Sequence, residues 1–168
     1  MPAIIIVTLL SFFFQGFIST SLNYTLTNPT IFSTIYTLLT LIIIRKYFEN
    51  PTKYYIFVAI FGFLYDLTYT NSVILNTALF LVITFLIDFF KSQLSDTILT
   101  ANIAGLIAIV IYNILSYLIL TIIGYNNYNP KFLLIILTHS ILMTVIFTSI
   151  MYFLIDYLYT KFDLKPIR

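Results

Sequence analysis

The stretch TILTANIAGLIAIVIYNILSYLILTII, residues 97–123, contains no charged side chain and no proline. At 1.5 Å per residue, about 20 helical residues cross a hydrocarbon core about 30 Å thick, so this stretch is long enough to span a bilayer with length to spare. Working outward, comparable stretches occupy 132–159 on one side and 72–90, 54–69, 29–48 and 4–23 on the other. Runs such as Leu41-Ile-Ile-Ile44 and Phe132-Leu-Leu-Ile-Ile-Leu137 do not alternate apolar with polar residues, which counts against a barrel. The expected fold is therefore all-α: a polytopic membrane protein built as a compact bundle of six transmembrane helices, with 1–168 as one integral membrane domain.

Charge placement supports this reading. Eight basic and six acidic residues in 168 leave only 8% of the chain charged, and they fall mostly at the ends of the apolar stretches. That pattern follows from the roughly 2.5–3.5 kcal/mol that a charge costs at a span centre. Six spans with the amino terminus inside put Arg45, Lys46, Lys53, Lys91, Lys161, Lys165 and Arg168 on one face and Lys131 alone on the other. The excess marks the cytoplasmic face and predicts both termini there. The 54–69 stretch is the shortest, rising about 24 Å and relying on a snorkelling Lys53; five spans and a re-entrant hairpin are the alternative.

The first stretch has no basic residue before it and no small-residue cleavage site after Phe17, so it reads as a retained helix. The chain has no cysteine and one histidine, so disulfides and thiolate chemistry are excluded and neither metal nor cofactor is expected. Connections are short, the longest external one being 124–130. Tyr24, Tyr47, Tyr54, Tyr69 and Tyr125 lie at span ends, where an aromatic belt meets headgroups. The Asn23-Tyr24-Thr25 triplet matches a glycosylation acceptor but lies against the membrane.

Polar residues inside the spans are the candidate sites. Asp88 lies three residues before Lys91, and Asp156 lies near Lys161 and Lys165; pairing along the helix and snorkelling explain both. Asp66 has no cation within seven residues. Its depth overlaps that of His139, about 10 Å from the outer end of the last span. Asn113 and Gln15 fall near the same level, which makes a polar cluster available. Either Asp66 and His139 pair, fixing packing or moving protons, or each is satisfied separately, Asp66 by backbone amides near Thr70 and Asn71 or by headgroup water.

Small residues show where helices can approach. Ala101, Ala104, Gly105 and Ala108 form overlapping small-xxx-small steps, with Asn102 beside them, and Ser140, Thr144 and Thr148 make a second seam. Both suit packing within the chain. Arg45, Lys46 and Lys53 are the candidates for a cytoplasmic surface touching anionic lipid or partners. No phosphate-binding glycine loop and no nucleophile, histidine and acid arrangement is legible, and no nucleic-acid partner is expected.

The segment Ala59-Ile-Phe-Gly62-Phe-Leu-Tyr-Asp66-Leu-Thr-Tyr69, followed by a short turn and another apolar stretch from Asn71, resembles the middle of MreD, the rod shape-determining membrane protein family of bacteria. Gly62 and Asp66 occupy the positions of that family's glycine and acid. The resemblance implies a multi-pass protein of the bacterial cytoplasmic membrane with no enzymatic activity. It would be a scaffold of the elongation complex that links MreC, and through it MreB and the peptidoglycan synthases, to cell shape. The architecture is also similar to the substrate-binding subunits of energy-coupling-factor vitamin transporters, the alternative function. In those the first helix carries an alanine-xxx-alanine docking face, which 4–17 lacks, and the loop 125–130 would have to close over the vitamin. A membrane enzyme using Asp66 and His139 is a third reading.

Overall fold

The computed structural model describes residues 2–25, 34–70, 74–91, 96–124, 130–162 and 167, with side chains 2, 19–25, 91, 130, 132 and 139 outside the description. Six α-helices make up almost all of it: α1 (Pro2–Thr25), α2 (Tyr36–Ile44), α3 (Pro51–Tyr69), α4 (Leu75–Lys91), α5 (Ile98–Ile122) and α6 (Pro130–Lys161). Among the described residues there is no strand, only an isolated parallel bridge between Phe48 and Ile167.

Local chemistry sets several of the ends. The Asn50 side chain accepts from the amides of Thr52 and Lys53, and Pro51 takes the first helical position. So α3 starts three residues before the expected stretch and is 19 residues long, which removes its deficit in length. Thr97 and Thr100 form a reciprocal capping box at the start of α5. Gly124, at φ +77, ends α5 in the left-handed region that glycine enters without strain.

Consecutive helices run antiparallel, α3 against α4 and α5 against α6, with α2 in the middle touching α1, α4, α5 and α6. All nine residues of α2 are buried. Nine residues rise about 14 Å, roughly half a hydrocarbon core, so the described helix is much shorter than the expected 29–48 span; 26–33 lie outside the described residues. A helix this short, without its own polar face, must have its terminal backbone groups satisfied by neighbours.

Among the described residues, two helices are long and apolar enough to cross a membrane, α5 over Ile98–Ile122 and α6 over Leu133–Lys161; α1 and α4 carry shorter apolar stretches, Ala3–Ile18 and Leu75–Phe90. Only 22% of the apolar window of α5 and 24% of that of α6 are buried. The core helix of a water-soluble protein is mostly buried, so these helices present their apolar surface outward. Leu10, Phe13 and Phe17 on α1, Phe85 and Phe89 on α4, and Leu142 and Phe153 on α6 are exposed in the same way.

Arg45, Asp88, Lys46, Asp96 and Asp156 gather at one end of the bundle, where α2, α4 and α6 finish and α3 and α5 begin. The start of α1 is at this end too: Ala3, Ile4 and Val7 line a small crevice with Ile44, Ile155 and Tyr159. Ile167 reaches the same end.

Candidate functional site

At the end opposite the charges lies the start of α4, Leu75. The residue before it is Ile74, held at φ +80, a strained conformation for a β-branched side chain. Asp66 of α3 does the capping. Its Oδ1 accepts from the Asn76 amide at 3.0 Å, the Asn76 side-chain amide at 2.9 Å and the Thr70 hydroxyl at 3.2 Å. Its Oδ2 accepts from the Thr77 amide and the Thr77 hydroxyl, both at 2.8 Å. Asn76 and Thr77 are the second and third residues of α4, the positions whose amides an N-cap side chain normally serves. The carboxylate also faces the positive end of the α4 dipole.

Gly62 lies one turn before Asp66 on the same face of α3 and faces the same turn of α4. A Cβ built there falls 2.8 Å from the Thr77 Cα. No side chain fits at 62, and that absence lets α3 approach closely enough for Asp66 to reach the amides. The two residues that carry the family resemblance therefore act together at one helix junction. Asn76 extends the junction to α5, because the Tyr112 hydroxyl donates to its Oδ1.

Gln15 does for α2 what Asp66 does for α4. Ile35, at the cap position of α2, has no side-chain capping bond, and Gln15 of α1 accepts from the Tyr36 amide at 2.7 Å. Nearby, the Tyr69 hydroxyl donates to the Phe12 carbonyl at 2.7 Å and ties α3 to α1. Asn113 bonds the Ile109 carbonyl of its own helix at 2.8 Å and joins neither junction. The expected single cluster is thus divided: Gln15 and Asp66 cap different helices and Asn113 is satisfied within α5. The reason is that an unmet helix amide is a better partner than another polar side chain at the same depth. The His139 side chain lies outside the described residues. Asp66 takes the amides of Asn76 and Thr77 together with the Thr70 hydroxyl; Asn71, whose neighbourhood was expected to supply amides, lies outside the described residues.

The small-residue stripe of α5 faces its own chain. Ala101, Ala104, Gly105 and Ala108 are buried, and a Cβ at Gly105 would meet the Thr148 hydroxyl at 2.9 Å and Leu39 at 3.2 Å. Asn102 donates to Ser149 of α6 at 3.0 Å. Ser140 and Thr144 are buried against Thr34 just before α2.

At the charged end the acids take partners from other helices rather than their own. Asp88 binds the Arg45 Nε at 2.9 Å and accepts from the Tyr55 hydroxyl at 3.1 Å; the side chain of the expected partner Lys91 lies outside the described residues. Asp156 binds Lys46 at 3.3 Å, whereas Lys161 donates to Tyr157. Lys46 also binds Asp96 at 2.9 Å and lies over the Tyr152 ring at 4.4 Å. Burial alone would lower the Lys46 pKa, but the Asp96 ion pair outweighs it and holds the ammonium above its ordinary range. Arg45 and Lys46, the candidates for a cytoplasmic surface, are thus ion-paired within the bundle while part-exposed, and Lys53 is exposed. The belt reading also needs correction, because Tyr47 and Tyr54 are buried. Tyr54 donates to the Leu41 carbonyl at 3.1 Å, in the last turn of α2, and Tyr47 stacks on Tyr159. The side chain of Tyr24 and all of Tyr125 lie outside the described residues.

Sequence reasoning missed Asn76, Thr77, Tyr112, Tyr55 and Asp96. A signal existed for the first two, because a polar pair opening an apolar helix marks amides that need an acceptor. No family model, curated protein or solved structure matches the chain. The junction of α3 and α4 thus rests on this chain's own geometry: a buried carboxylate that accepts from Thr70, Asn76 and Thr77, locking one helix to the start of the next.

Proposed function

We propose that this chain is an integral membrane protein of the bacterial cytoplasmic membrane with six helices in the bilayer and its charged end in the cytoplasm. In this reading it is a non-enzymatic scaffold of the rod complex that binds MreC and, through it, MreB and the peptidoglycan synthases. The observation that carries the proposal is the joint placement of Gly62 and Asp66. Both residues of the MreD-like segment serve one structural purpose, the close and capped junction of α3 with α4. A scaffold recognises partners through the shape of its lipid-facing helices, and such a junction sets that shape.

The outward apolar surface of α5 and α6 supports residence in lipid. The nine-residue α2 is compatible with it, since short or broken helices are tolerated at membrane depth when protein surrounds them, as α1, α4, α5 and α6 do here.

The direct test is capture of MreC by the tagged, detergent-solubilised chain. The native chain and Asp66→Asn should retain MreC, and Asp66→Leu should lose it together with monodispersity. A native chain that is monodisperse, fails to capture MreC and binds a vitamin at nanomolar concentration would overturn the proposal in favour of a transporter subunit. Reporter fusions at 125–129 and after 162 should report opposite sides of the membrane.

A further inference from the structure

The outward face of α6 changes its chemistry along its length. Ile146, Ile150 and Phe153 are exposed at spacings of four and three, so they share one side of the helix. Two further steps of four bring that side to Tyr157, which is 59% exposed, and to Lys161, which is exposed and ends the helix. The apolar stripe therefore finishes in a phenol and an ammonium, at the charged end of the bundle. The rise from Tyr157 to Lys161 is about 6 Å, close to the thickness of the headgroup layer on one side of a bilayer.

The two polar groups are joined. The Lys161 Nζ donates to the Tyr157 hydroxyl at 2.9 Å and lies 5.2 Å from the centre of its ring. That partner is neutral and leaves the positive charge in place, and the phenol, which accepts from lysine through a lone pair, keeps its own hydrogen to donate. Asp156, the residue before Tyr157, is engaged by Lys46 at 3.3 Å. The other basic and aromatic groups described at this end are placed differently: Arg45 and Lys46 are paired with acids, and Tyr47 and Tyr54 are buried. Tyr157 and Lys161 thus bring two donors and one positive charge together on a face that is otherwise apolar.

We propose that Tyr157 and Lys161 hold the phosphate of an anionic phospholipid of the cytoplasmic leaflet, with one phosphate oxygen accepting from each donor and an acyl chain lying along Phe153 and Ile150. A phospholipid is the occupant because it joins an anion to a hydrocarbon chain in the order in which this face joins its donors to its apolar side chains. A lipid with net negative charge is preferred over a zwitterionic one, whose headgroup brings its own cation to compete with the ammonium. The inference rests on the membrane reading given above and adds to it a specific lipid contact, separate from the binding of any protein partner.

The chain has no tryptophan, so Phe153→Trp supplies a single fluorophore about one turn from the pair. The full chain carrying this reporter is placed in vesicles of phosphatidylcholine with a minor fraction of phosphatidylglycerol, in which one lipid or the other has brominated acyl chains that quench tryptophan on contact. Quenching per mole of each lipid should show phosphatidylglycerol enriched about fivefold beside the reporter. The enrichment should survive Lys161→Arg, vanish in Lys161→Gln and fall about twofold in Tyr157→Phe, which removes one donor. Lys53→Gln, at the start of α3, should leave it unchanged, which separates a local site from attraction to the whole basic end. The substituted side chains are exposed, and a monodisperse elution profile confirms that each variant is folded. Equal quenching by the two lipids in the native background, an enrichment untouched by Lys161→Gln, or an equal loss in Lys53→Gln overturns the proposal. A reporter that neither brominated lipid quenches overturns the membrane reading as well, because the outward face of α6 then does not meet lipid at all.

Discussion

The two ends of the bundle solve the same problem with different groups. At the charged end, ionised side chains pair with one another while partly exposed: Arg45 and Asp88 are 23% and 24% exposed. At the opposite end, single buried side chains serve backbone amides: Asp66 is 2% exposed and Gln15 is 8% exposed. Water and mobile ions can replace a lost partner at the first end but not at the second. The difference predicts large, salt-independent effects of mutation at the capped end and smaller, salt-dependent ones at the charged end.

The sharpest way to break the capped end is Gly62→Val. The clash is with backbone, so α3 and α4 must separate, and we expect a loss of about 3 kcal/mol or more in a detergent unfolding titration. Asp66→Leu should follow closely at about 3 kcal/mol, because the amides of Asn76 and Thr77 stay buried without an acceptor. Asp66→Asn keeps one acceptor oxygen and should lose about half as much; equal losses in the two variants would show that charge, rather than hydrogen bonding, is what the junction needs.

Gln15→Leu, which strips one cap from α2, should cost about 1 kcal/mol. Asp88→Asn at the charged end should cost about 1 kcal/mol at low salt and visibly less at 1 M salt. A loss that does not change with salt there would erase the distinction between the ends. The smallest effect has the opposite sign: Ile74→Gly relieves the positive φ before α4 and should raise thermal stability by about 1 kcal/mol.

Much of the fold was legible beforehand because apolar spacing is written in one dimension. An apolar stretch with charges at its ends is visible in any window of about 20 residues, and α1, α4, α5 and α6 lie close to the expected stretches. The interhelical small-residue contacts were legible for the same reason, since Ala101, Ala104, Gly105 and Ala108 repeat at helical spacing. The partners of the acids were not. Neighbours along a helix pointed Asp88 to Lys91 and Asp156 to Lys161, whereas Arg45 and Lys46, from the turn after α2, reach them across the bundle. Periodicity carries no information about which helix lies beside which.

The same division holds for the whole protein. By itself the sequence determined helical class, the approximate helix ends and the clearing of charge from the apolar stretches, because each follows from local spacing and the cost of exposing polar groups to an apolar medium. Only the tertiary structure decided that α2 is a short, fully enclosed helix, that Gln15 and Asp66 cap neighbouring helices, and that Ile167 pairs with the turn before α3. Those outcomes depend on which unmet backbone group comes within about 3 Å of which side chain, a distance set by the packing of helices far apart in the chain.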